Sequence, residues 1–169
     1  MILLLGLLSK MSTTVLCEQI NSDNNTVNNL DHKQYLSLKG INMVKDGRFK
    51  DQFLSFLELD SKLKYEELYY YFSTNYLERL FLLRDINSAL EYKNDMEEYS
   101  DRTECKYLEI LNVQMIAKEK YQVDLTLKTN LEGQMTLIKK RYFFVKEGVE
   151  WKYDGLDSDF MEWIPLEEE

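Results

Sequence analysis

A chain of 169 residues with 44% apolar and 13% aromatic residues carries enough apolar surface for one packed domain, which excludes wholesale disorder. Thirty acidic against 21 basic residues give a formal net charge of -9, and a surface so acidic repels phosphate backbones, so no nucleic-acid partner is expected. Two cysteines, Cys17 and Cys105, and a single histidine, His32, supply neither metal-ligand spacing nor a His-based nucleophile set, so no cofactor and no catalytic triad are expected.

The chain opens on an apolar run, MILLLGLLS, too short to span a bilayer and with no basic residue ahead of it. Residues 21–29, NSDNNTVNN, read as a polar tether. Two readings stand open. In one, Met11 is the functional start. In the other, the run is a short export signal and Cys17 accepts a lipid. Leu16 stands where a small residue usually precedes a lipidated cysteine, which counts against the second reading. A cell-envelope location therefore ranks slightly below a cytoplasmic one, and membrane contact is expected only through a lipidated N-terminus. Residues 1–29 are read as start and tether, and residues 30–169 as a single domain.

Asp31 can cap a helix from His32, with Tyr35, Leu36, Leu38, Ile41 and Met43 as its apolar stripe. A clearer helix runs from Arg48 to Leu59, led by Asp46-Gly47, with Phe49, Phe53, Phe56 and Leu57 at helical spacing. From Lys64 to Leu83 the aromatic density rises. Tyr65, Leu68, Tyr69 and Phe72 share one helical face, Ser73 to Asn75 interrupt it, and a second piece follows with Tyr76, Leu77 and Leu80. Residues 84–104 are polar, with Ile86, Leu90 and Tyr92 compatible with one helical turn or two, and Asp85 or Asp95 could line the mouth of a cavity.

From Cys105 the apolar period becomes two. A first strand slips near Leu111-Asn112. Val123, Leu125 and Leu127 alternate with Asp124, Thr126 and Lys128, which turns Asp124 to solvent. A long strand spans Met135 to Val145, and Val149, Trp151 and Tyr153 form the last one. Lys139, Lys140 and Arg141 split across two faces and read as a solvated edge. The sum is α+β: N-terminal helices packed on one face of an antiparallel meander.

Two segments carry a family resemblance. FLELDSKLKYEELYYYFSTNYLERL and RYFFVKEGVEWKYDGL, the latter with Gly148, Trp151, Lys152, Asp154 and Gly155, resemble the first helices and last hairpin of the NTF2-like (cystatin-like) superfamily, in particular its small exported and lipoprotein-type members. The resemblance covers about residues 46 to 157 and implies a strongly curved sheet forming a cone. The family's enzymes place an aspartate or histidine in that cone. This chain offers no matching histidine, so the expected function is a non-catalytic binding or scaffold domain. The alternatives are an isomerase- or dehydratase-type enzyme using one cone carboxylate, and a structural part of an envelope assembly. Tyr69, Tyr70, Tyr76, Trp151 and Tyr153 are the candidate pocket or core residues. The expected partner is an unidentified small molecule or protein, or a second copy paired through the sheet.

Overall fold

The computed structural model describes residues 38–99, 103–131 and 133–166, all within the unit Asp31–Glu169. The apolar run, the tether, Cys17 and the expected helix as far as residue 37 lie outside the described residues. The remainder of that expected helix is a 3-10 turn, Ile41–Met43, entered through Gly40 at φ 84°. A Cβ at Gly40 would lie 2.3 Å from the Ile110 carbonyl oxygen, so only glycine lets this segment press against the sheet.

Four α-helices precede the sheet among the described residues. α1 (Gly47–Ser61) begins where the Asp46 carboxylate accepts the Phe49 N–H at 2.9 Å, which satisfies one of the first turn's open donors. Phe49, Phe53, Phe56, Leu57 and Asp60 fall on one stripe of α1 and all are buried. α2 (Tyr65–Tyr69) is a single turn. α3 (Thr74–Arg84) is capped by the Ser73 hydroxyl, which accepts the Tyr76 N–H at 3.0 Å, and closes on Asp85 in the left-handed conformation. α4 (Ala89–Tyr99) fills the stretch that composition leaves unassigned. Only Ala89 and Tyr92 of this helix are buried, a stripe too sparse to stand out from its acidic surroundings.

β1 (Cys105–Ala117), β2 (Lys120–Leu131), β3 (Gln134–Glu147) and β4 (Glu150–Leu156) form an antiparallel meander in that order. β1 shifts register between Ile110 and Asn112, at the expected slip. A fifth strand, β5 (Glu162–Pro165), is added by the structure and pairs with Thr136 to Lys139 of β3. β2 occupies one edge of β3, so β4 and β5 follow each other along the opposite edge.

The sheet is open and not strongly curved, which corrects the expected cone. β1 and β4 stand apart in the strand order with no pairing between them. β5 continues the line of β4 along β3 and so lengthens the sheet instead of rolling it toward β1.

The helices cover one face of this open sheet. Phe49 stacks on Tyr121 at 4.3 Å between ring centroids and meets Trp151 edge-on at 5.2 Å. Phe56 stacks on Tyr153 at 4.7 Å. Trp151 is 4% exposed, and its backbone N–H donates to Gln52 Oε1 at 2.6 Å. Val149, expected to open this strand, sits in the preceding turn and is exposed.

Asp124 also departs from expectation. It alternates with the inward Val123 and Leu125, yet it is buried on the outer face. Arg141 donates to both of its oxygens, at 2.7 and 3.1 Å. Phe160, from the 3-10 turn Ser158–Phe160, lies over the Arg141 guanidinium at 3.9 Å. Strand alternation assigned the face correctly, but not the clamp that covers it.

Candidate functional site

Between the helices and the sheet lies a cavity of about 220 Å³. It is smaller than the roughly 300–1,000 Å³ of drug-sized ligand sites. α1 contributes Phe56 and Asp60, α2 contributes Leu68, and α3 contributes Tyr76, Leu80 and Arg84. Tyr92 and Met96 come from α4, Lys140 and Tyr142 from β3, and Tyr153 and Leu156 from β4, with Phe72 completing the wall. Phe72 is fixed by backbone: Tyr153 N–H donates to the Tyr71 carbonyl at 2.7 Å, and Ser73 N–H to the Tyr153 carbonyl at 2.8 Å.

The lining divides by exposure. Phe56, Asp60, Leu68, Phe72, Leu80, Tyr92, Tyr142 and Tyr153 are buried and form the closed part. Arg84 and Leu156 are exposed, with Tyr76, Met96 and Lys140 intermediate, and these form the open part. Phe72 packs edge-on against Tyr76 at 4.8 Å and Tyr92 at 5.0 Å, so the aromatic wall is one connected layer.

One polar chain reaches the closed part. The Tyr107 hydroxyl donates to Asp60 Oδ2, and the Tyr107 and Tyr142 hydroxyl oxygens are hydrogen-bonded at 3.0 Å. Asp60 is 4% exposed, so its carboxylate needs such donors to remain tolerable in an apolar wall. Burial, and then the nearby Tyr142, Tyr76 and Asp60, push the Tyr153 phenol well above its ordinary value. Tyr153 therefore stays a neutral phenol at physiological pH. At the open part, Arg84 pairs with Asp95 of α4 at 2.7 Å.

Tyr76 and Tyr153, two of the residues singled out in the sequence, line this cavity. Trp151 does not. It belongs to the core beside Phe49 and Tyr121. Tyr69 packs behind the wall, 6.1 Å from both Phe72 and Tyr92, where burial and then Glu91 raise its phenol. Tyr70 is 66% exposed; its backbone carbonyl accepts from Lys152 and its ring meets Tyr69 edge-on, and it does not line the cavity. Cys17 lies outside the described residues. Asp85 caps α3 and Asp95 holds Arg84, so neither lines the cavity.

The carboxylate that does line it is Asp60, one residue beyond the helix end expected at Leu59. The signal was present. Asp60 follows Phe49, Phe53 and Phe56 at helical spacing and so falls on the buried stripe of α1. Lys140 was read as a solvated edge residue. Its neighbours Lys139 and Arg141 are paired outward with Glu162 and Asp124, while Lys140 faces the cavity.

Among the described residues no group of three or more His, Cys, Asp or Glu side chains is arranged to hold a metal ion. No helix among them is long and apolar enough to cross a membrane. No family model matches the chain, and the search of curated proteins returns no match. Together with the open sheet, this overturns the resemblance to the NTF2-like (cystatin-like) superfamily: the shared texture of two segments reflects a helix-then-meander order that many α+β domains can adopt.

Proposed function

We propose that the domain is a non-catalytic binding module that holds a small, mostly apolar molecule between its helices and its sheet. The observation that carries this reading is the composition of the cavity. Phe56, Leu68, Phe72, Leu80, Tyr92 and Tyr153 supply an apolar wall, and polar groups reach it at a few fixed places, as ligand sites require. The Asp60 carboxylate accepts from the Tyr107 hydroxyl, which fixes it as an acceptor at the closed end of the cavity.

The test uses 2-naphthol, whose flat bicyclic ring suits an aromatic slot and whose emission reports its surroundings. Titration into the protein is expected to give saturable binding at one site. Leu80→Trp should abolish it, because Leu80 lines the cavity and the indole would fill it. An unchanged titration with Leu80→Trp, or no saturable binding to the unsubstituted protein, would refute the reading.

A further inference from the structure

We infer that the ligand is an organic anion, with its apolar body in the closed part of the cavity and its carboxylate at the open end beside Arg84. This rests on the binding reading above and adds the ligand's charge and orientation.

The argument begins with the sign of the lining. The chain as a whole carries a net charge of -9, yet the cavity is lined by two bases, Arg84 and Lys140, against one acid, Asp60. With the Asp95 carboxylate paired to Arg84, two bases face two acids here, a neutral balance where the chain as a whole is acidic.

The charges are also separated along the cavity. Asp60 is 4% exposed, in the closed part, whereas the Arg84 side chain is 40% exposed, in the open part. A carboxylate entering head first would meet the buried Asp60 carboxylate, and like charges in an apolar surround repel strongly. Entering tail first, it leaves its head beside Arg84. An ammonium ligand would have to pass Arg84 and Lys140 to reach Asp60, whose oxygen already accepts from Tyr107.

Arg84 is prepared for this role. Asp95 lies in ion-pair contact with it at 2.7 Å but is not part of the cavity wall. A guanidinium has five donors in a planar fork, and one carboxylate occupies at most two of them. A ligand carboxylate can therefore share Arg84 with Asp95. Lys140, placed on β3 between Ile138 and Tyr142, adds a second positive charge to the same wall.

The experiment compares three compounds of one shape: 2-naphthoate, 2-naphthamide and 2-naphthylmethylamine, titrated into the full chain at low ionic strength. The expected order is naphthoate tightest, by about tenfold over the amide, with the amine weakest. Arg84→Met keeps most of the side chain's bulk and should bring naphthoate down to the level of the amide measured in the same variant, the ratio of the two affinities being the readout. Arg84→Lys should restore part of the difference, which a fold defect would not. Amide or amine binding as tightly as naphthoate would overturn the inference while the binding reading stands. So would a naphthoate advantage that survives Arg84→Met. Failure of all three compounds and of 2-naphthol would instead bring down the binding reading itself.

Discussion

The Tyr107 hydroxyl on β1 donates a hydrogen bond to the Asp60 carboxylate on the last turn of α1, and both residues are buried. This bond joins the first strand to the first described α-helix across the core. It also passes on to Tyr142 of β3. Removing the donor takes a hydrogen bond from a buried carboxylate, which costs more than the bond itself contributes. Tyr107→Phe is expected to lower stability by about 1–3 kcal/mol in urea unfolding. With Asp60→Asn in place, the loss on adding Tyr107→Phe should shrink, since the group that loses its donor is then neutral. Equal losses in both backgrounds would show the two residues to be uncoupled.

Asp154 sets an acid limit on the fold. It is the extra residue of a bulge between Phe143↔Gly155 and Phe144↔Tyr153, and the bulge lets it reach the start of α3. It accepts from Ser73 at 2.7 Å, Asn75 at 3.0 Å and Lys120 at 3.0 Å. Burial works to raise its carboxyl, but these donors outweigh it and hold the group below the ordinary carboxylate value. A folded value below the unfolded one means the unfolded chain takes up the proton first on acidification. The contribution is therefore complete above about pH 4, and is lost as pH falls through the lower folded value. Urea unfolding followed from pH 7 to pH 2 should show this fall, and Asp154→Asn should lower stability at pH 7 and flatten the acid limb. An acid limb of unchanged steepness in the variant would assign the effect to other carboxylates.

Gly40 is expected to tolerate no side chain. Its φ of 84° and the 2.3 Å approach of a Cβ to the Ile110 carbonyl act together. Gly40→Ala should cost about 1–3 kcal/mol and loosen the bond from the Ile110 N–H to the Lys39 carbonyl, now 2.8 Å. Amide exchange at Ile110 reads this directly. Protection at Ile110 unchanged by the substitution would mean that the backbone here adjusts freely.

Trp151 closes the end of the core away from the cavity. Truncation to alanine removes ring contacts with Phe49 and Tyr121 and should cost about 3–5 kcal/mol. Because Trp151 does not line the cavity, a partly destabilised Trp151→Phe variant should still bind 2-naphthol. Loss of binding in a folded Trp151→Phe protein would move the site toward that end of the sheet.

Period-based reading located α1, the two-piece aromatic stretch split at Ser73, and four strands, because each of these buries one face against one partner. It gives no more than a turn or two around Ile86, Leu90 and Tyr92 where α4 forms, because two buried residues in eleven leave little stripe to see. It missed β5, which is four residues long and is held by register with β3 more than by its own apolar content. The curvature of a sheet is not written in alternation at all, so the cone had to come from resemblance, and it failed. Of the aromatic candidates, Tyr76 and Tyr153 line the cavity, whereas Tyr69, Tyr70 and Trp151 do not, since alternation and helical spacing do not say which buried ring meets a void. The charged lining was not legible, since Asp60, Arg84 and Lys140 come from three elements, and their meeting is a property of the packing.

The helices-first order bears on how the chain is made. α1 through α4 are complete by Tyr99, yet the residues that cover Phe49 are Tyr121, Phe144 and Trp151, all synthesised later. At roughly 5–20 residues per second, the stripe of Phe49, Phe53 and Phe56 waits several seconds for its partner surface to be translated. During that interval the nascent chain presents three phenylalanines on one helical face, the kind of exposed segment that chaperones engage. Only with the arrival of β4 does the ribosome deliver a chain able to bury them.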